Sequence, residues 1–259
     1  MSGGKVKFSI QNGIARITLS NPTGYNAVDR LVTQGLRTAA VQCEVTPGLR
    51  CVLLSAEGHQ FSVGGDLREF VRERDHIQSH VREMTIDFHS AIAVLNKLAV
   101  PVVAAVNGLA AGGGVSLVCM TDLAIASRSS KFNFAYTRSG LTPDGGATYF
   151  LPRLVGVQRA FDILATNPTL TADMAQKLGL IARVVDDETF EQEVEKLVLQ
   201  LASMPSDAVG NLKALLRQSL RNTLPEQLEL EGAAIASLAA TPATLATMEA
   251  FLAKSKPQT

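Results

Sequence analysis

The chain has 259 residues, with 24 Lys+Arg against 24 Asp+Glu and a formal net charge of +0. That length suits one large domain or a domain with a small appendage, and a neutral chain has no bulk attraction to polyanions. Hydrophobic residues at 46% and charged residues at 19% supply a sizeable core and exclude disorder as the dominant state.

Lys5–Ile10 and Ile14–Leu19 read as two strands around Asn12-Gly13, a strong hairpin signal. A loop at Asn21-Pro22-Thr23-Gly24 leads to a helical stretch near Asp29–Cys43. Cys51–Ser55 is a continuous apolar strand, and its lack of alternation predicts burial on both faces of a parallel or mixed sheet. Ile77, Val81, Met84, Phe88, Ile92 and Leu95 recur at three- and four-residue steps, which predicts a helix over Asp75–Leu98. The charged run Arg72–Asp75 then reads as a solvated helix face. Pro101–Val106 and Leu123–Ala126 read as strands, with a helix over Gly114–Met120 between them.

Leu98–Thr121 carries no charge and is long enough to span a bilayer. Pro101, Asn107, Gly108 and Gly112–Gly114 divide it into strand, turn and helix start, so no membrane segment is expected. Thr171 caps a short helix that ends at Gly179, and Phe190, Val194, Leu197 and Leu201 mark another. Helices interrupted at Pro205, Pro225 and Pro242 follow. The alternation of strand and helix makes the fold class α/β. An α/β core over residues 1–200 and a helical region over 201–259 are expected.

Cys43, Cys51 and Cys119 follow no metal-ligand spacing and sit in apolar runs, as buried thiols in a reducing compartment do. The N-terminal segment MSGGKVKFSIQNG holds no apolar stretch of secretion-signal length. Both features point to a cytoplasmic protein. His59, His76, His80 and His89 form no ligand cluster, so no metal is expected.

Gly108 to Gly114 lies between a strand and a helix but matches neither a dinucleotide fingerprint nor a P-loop, because no third Gly and no Gly-Lys follow. Small residues there let backbone approach a ligand, and the helix start offers free N–H groups; tight packing alone explains them equally. Phe61-Ser62-Val63-Gly64-Gly65-Asp66-Leu67 is a second such segment. Two backbone donors from two loops are the usual anatomy of an oxyanion hole. Asp66 and Asp122 read as structural.

Asn21-Pro22…Asn26-Ala27, Phe61–Leu67, Pro101–Gly108 with Gly112–Gly114, Asp122–Ala126, Gly140–Gly146, Leu151-Pro152-Arg153 and Ala250–Lys254 stand in an order that resembles the enoyl-CoA hydratase/isomerase (crotonase) family. The resemblance implies a spiral of β-β-α units, a C-terminal helical region that trimerises the protein, and an acyl-CoA thioester as substrate. A homotrimer or a dimer of trimers is expected, with no nucleic acid and no separate cofactor, since coenzyme A enters with the substrate. It places the oxyanion donors on the N–H groups of Gly65 and Gly113. It places Asn26 and Ala27 near the adenine of coenzyme A, and makes Phe251 and Lys254 a pair that reaches coenzyme A from a neighbouring subunit.

Hydratases of this family use two glutamates, at the positions held here by Ser116 and Tyr136. Asp144 matches the acid of a subgroup that includes ring-epoxide isomerases of phenylacetyl-CoA and Δ3,Δ2-enoyl-CoA isomerases. A double-bond shift needs one base that removes the α-proton and returns it at the γ-carbon. Phe132, Phe134, Ala135, Tyr136 and Ser116 are expected around the acyl group. The alternative reading of Asp144 is a helix N-cap before Ala147–Leu151, a role one residue can combine with catalysis. Other readings stay open: a hydratase with a rearranged water site, and a non-catalytic homologue that binds coenzyme A or RNA. A third is 4-chlorobenzoyl-CoA-type dehalogenation with Asp144 as nucleophile, although that chemistry leans on a Trp this chain lacks.

Overall fold

The computed structural model describes residues 5–254, the last of them by its backbone alone. The chain divides between Ser203 and Met204 into two compact units. The first begins with strands β1 (Val6–Gln11) and β2 (Ile14–Leu19), an antiparallel hairpin turned by Asn12 at φ 52° and Gly13 at φ 74°. Asp29 accepts a hydrogen bond from the Val32 N–H and so caps helix α1 (Arg30–Val45).

Strand β3 (Cys51–Ala56) runs parallel to β2, and β4 (Val102–Val106), β6 (Leu123–Ser127) and β9 (Arg183–Val185) extend the sheet in parallel. Its order is β1-β2-β3-β4-β6-β9. The burial expected of Cys51–Ser55 is present on both faces. Val52 and Leu54 pack toward α1 and the long helix α3 (Ile77–Lys97), while Cys51 and Leu53 pack against Val194, Leu197 and Val198 of helix α8 (Phe190–Ser203). A small second sheet joins β5 (Leu109–Ala111), β7 (Lys131–Asn133) and β8 (Leu170–Thr171). Strands this short carry too little periodicity to be read from sequence.

The long helix begins at Ile77, the first residue of its apolar pattern, instead of at Asp75. Asp66 accepts from the Arg68 and Glu69 N–H groups and starts a separate short helix, α2 (Leu67–Arg72). Arg72 ends α2 and Arg74–His76 form a separate 3-10 turn, so the charged run is exposed as expected at Arg72, Arg74 and Asp75 but is divided between two short helices. Helix α4 (Gly113–Cys119) follows β5, and α5 (Ala147–Val155), α6 (Val157–Thr166) and α7 (Ala172–Leu178) follow β7. Thr171 caps α7 through the Met174 N–H, and Gly179 ends it at φ 84°. Among the described residues no single helix is long and apolar enough to cross a membrane.

The second unit consists of α9 (Ser206–Ser219), α10 (Leu224–Ala239) and α11 (Pro242–Lys254). Pro205, Pro225 and Pro242 sit at the helix starts, where a missing N–H costs nothing. Leu224, Ile235 and Phe251 expose 70% or more of their surface.

Leu54 is fully buried between β-strand neighbours and helices. Leu54→Ala is expected to lower stability by about 2–5 kcal/mol, read as a shifted urea midpoint with an unchanged slope.

Candidate active site

Two loops are zipped together by their backbones. Asn107 donates to the Gly58 carbonyl at 2.6 Å, and the Leu109 N–H donates to the Gln60 side chain at 2.7 Å. The Ser62 N–H donates to Leu109 O at 3.1 Å, and the Ala111 N–H donates to Ser62 O at 2.7 Å. These bonds set the segment after β3 beside the segment after β4. A Cβ on Gly64, at φ 86°, would lie 2.8 Å from the Ala111 carbonyl oxygen, and one on Gly114 would lie 2.7 Å from Ser62 Cβ. Only glycine permits that approach.

Gly65 and Gly113 thereby line one cavity of about 720 Å³. Val28 and Asp66 secure the first donor from behind: the Val28 N–H donates to Gly64 O at 2.7 Å and the Asp66 N–H donates to Val28 O at 3.1 Å. Among the described residues neither the Gly65 nor the Gly113 N–H has a protein acceptor. Two free donors on one cavity wall can receive an oxygen that gains negative charge.

Asp144 lines the same cavity and is the one carboxylate among its described lining residues. Its side chain keeps 34% exposure. Tyr136 donates from its hydroxyl to Asp144 Oδ1 at 2.7 Å, and Ser116 Oγ lies 2.8 Å from the Tyr136 oxygen. Ser116 Oγ also lies within hydrogen-bond reach of the Asp144 and Gly112 carbonyls, at 3.0 and 3.3 Å. Ala135, at φ 54°, turns the chain so that Tyr136 reaches this position. Burial, and then the Asp144 charge, push the Tyr136 phenol well above its ordinary range. It stays protonated and holds Oδ1, which leaves Oδ2 for chemistry. His89 Nε2 stands 3.7 Å from Oδ2 and accepts from the Gly145 N–H at 3.2 Å.

The capping role for Asp144 is overturned. Residue Gly146, at φ 78°, starts α5, and the Asp144 carboxylate points to Tyr136 instead of to helix N–H groups. Phe134, Ala135 and Tyr136 line the cavity as expected. Ser116 and Phe132 do not: both are fully buried, Ser116 beneath Tyr136 and Phe132 in the core.

Asn26 and Ala27 lie off the cavity wall. Asn26 is 1% exposed and spends its side chain on Asn21 of its own loop and on the Glu57 and Gln60 carbonyls of the loop after β3, so it offers a ligand no side-chain contact. Phe251 is exposed on α11, and the side chain of Lys254 lies outside the described residues. His89 was not legible as a site residue, because 55 positions separate it from Asp144 and its helix pattern marks only the neighbouring Phe88.

No thiol serves the site. Burial pushes the Cys43 and Cys119 thiols up to about 12, so both stay neutral. Carboxylate oxygens of Asp29, Asp66 and Glu69 lie within 4.8 Å of one another. Lys5 pairs with Asp29, the buried His80 Nε2 lies 3.2 Å from Glu69, and Asp29 and Asp66 cap helices. The cluster sits where the starts of α1 and α2 meet α3.

Two backbone donors and one hydrogen-bonded carboxylate line the same largely apolar cavity. The chain belongs to the enoyl-CoA hydratase/isomerase family, whose model matches residues 9–259. It is 35% identical over 225 residues to 1,2-epoxyphenylacetyl-CoA isomerase from Escherichia coli (strain K12), covering 86% of this chain and 85% of that protein. It is 32% identical over 221 residues to 4-chlorobenzoyl coenzyme A dehalogenase-2 from Arthrobacter sp, covering 85% and 80%. The crystal structure of an enoyl-CoA hydratase from Polaromonas sp. JS666 superposes with a TM-score of 0.90 at 28% identity, covering 98% of each chain. The fold is the crotonase fold, and the protein is an acyl-CoA enzyme of that family.

Two outcomes follow from this geometry. Gly114→Ala drives a methyl group into Ser62, so stability is expected to fall by about 1–3 kcal/mol and turnover to fall with it; thermal melts and steady-state rates check both. Tyr136 has a raised folded pKa, so above the ordinary phenol value of 10.0 the unfolded chain releases a proton that the folded chain keeps. Stability contributed by this phenol is therefore lost as pH rises past that value. Melting temperature between pH 9 and 11 is expected to fall more steeply in the native protein than in Tyr136→Phe.

Proposed function

We propose that the protein is an acyl-CoA isomerase in which Asp144 is the only acid/base. The thioester oxygen sits between the Gly65 and Gly113 N–H groups. Asp144 Oδ2 removes the α-proton, the carbonyl oxygen takes the charge as an enolate, and the same carboxyl returns the proton at the γ-carbon. The proton balance is closed, and no water is consumed. Tyr136 keeps Oδ1 occupied and presents Oδ2.

The observation that supports this reading is that the cavity holding both free backbone donors has one carboxylate among its described lining residues. Ser116 and Tyr136, at the positions of the family's two glutamates, are bonded to each other and to Asp144, so neither is set to deliver a water. A relative named as an isomerase of an acyl-CoA is consistent with an isomerase reading. Under the same proposal, copies of the chain associate through the exposed apolar residues of α10 and α11, as the family trimer does.

A second reading draws on His89. Asp144 would attack a chloro-aryl carbon, chloride would leave, and His89 would take a proton from the water that hydrolyses the aryl ester. The 3.7 Å separation of His89 Nε2 from Asp144 and the dehalogenase relative favour it. The Gly145 hydrogen bond opposes it, because it occupies the lone pair a base needs.

Incubation in D2O with trans-3-enoyl-CoA is expected to yield the 2-enoyl thioester with deuterium incorporated. Asp144→Asn should lower both conversion and exchange by about 10²–10⁴. Fast 3-hydroxyacyl-CoA formation that survives the substitution would overturn the isomerase reading. Chloride release from 4-chlorobenzoyl-CoA would establish the second.

A further inference from the structure

Helix α3 presents two stripes to the cavity. Ile77, Val81, Met84 and Phe88 form an apolar one, and Gln78, Arg82 and Thr85 form a polar one beside it. A purely hydrocarbon acyl tail gains nothing from the second stripe. Arg82 is the one cationic side chain among the described lining residues. Other charged side chains of α3 find partners on α1: Glu83 pairs with Arg30 at 2.5 Å and Asp87 with Arg37 at 3.0 Å. Among the described residues the Arg82 guanidinium has no such partner; only its backbone carbonyl is used, by Thr85.

Position along the helix sets the distance. Arg82 lies seven residues before His89, the side chain beside Asp144, which is about 10 Å along a helix axis. A group on the acyl chain several atoms beyond the reacting carbons therefore reaches the guanidinium.

We propose that Arg82 recognises a carboxylate at the far end of the acyl group, so that the substrate class is a dicarboxylic acyl-CoA monothioester. This rests on the acyl-CoA reading of the cavity but not on Asp144 being the base. A planar guanidinium binds a carboxylate through paired, charge-assisted hydrogen bonds, and Gln78 adds a donor one turn away. Phe70, Phe88 and Phe134 leave the intervening methylenes an apolar wall.

Binding of saturated, unreactive thioesters tests this without turnover. Adipyl-CoA and hexanoyl-CoA have six-carbon acyl chains and differ by the terminal carboxylate. Calorimetry should find adipyl-CoA bound more tightly by the native protein, on the order of fivefold, since the pair is open to solvent. The preference should shrink as salt is raised. Arg82→Met should abolish it while leaving hexanoyl-CoA affinity within twofold, and Arg82→Lys should restore part of it. Asp144→Asn should keep it, so loss of isomerase activity and loss of carboxylate recognition are read separately. An equal or weaker affinity for adipyl-CoA in the native protein would overturn the proposal, as would a preference that survives in Arg82→Met. Unchanged melting temperatures of the variants would exclude a folding defect.

Discussion

The site depends on the contact of two backbone segments at glycine. Gly64 and Gly65 follow one parallel strand, Gly112–Gly114 follow its neighbour, and the two runs meet closer than any side chain allows. Each segment alone is a loop with a free N–H. Together they place Gly65 and Gly113 on one cavity, each with an N–H that has no protein acceptor among the described residues. The parallel sheet makes the meeting possible, because adjacent parallel strands end at the same edge and deliver their following loops side by side.

A second layer keeps that contact in place. Asp66 directly follows the Gly65 donor and caps α2, while Asp29 directly follows Val28, which braces the same loop. Glu69 and His80 tie α2 to α3, and Lys5 reaches in from the first strand to Asp29. Asp29, Glu69 and His80 are each less than 9% exposed where these helix ends meet. The wall of the acyl cavity is thus fixed from outside by charge and from inside by apolar side chains.

Asp144 is the one carboxylate among the described lining residues of the cavity. Where a two-acid site would hold a water between its carboxylates, Ser116 and Tyr136 here form a hydrogen-bonded support under Asp144. Helix α3 supplies Phe88 to the cavity, His89 beside Asp144, and Arg82 to the cavity about two turns earlier.

Much was legible in the residues themselves. The hairpin at Asn12-Gly13, the doubly buried strand at Cys51, the cap at Thr171 and the glycine-rich segments all follow from local chemistry that acts over a few positions. The ordered motifs also carried the family and its fold. Tertiary structure alone decided the rest. It set Asp144 on Tyr136 instead of on a helix, sank Ser116 and Phe132 below the cavity, enclosed the Asn26 side chain, and brought His89 to Asp144. Each of those outcomes joins residues far apart in the chain, and pairing at such range leaves no periodicity for a sequence to display.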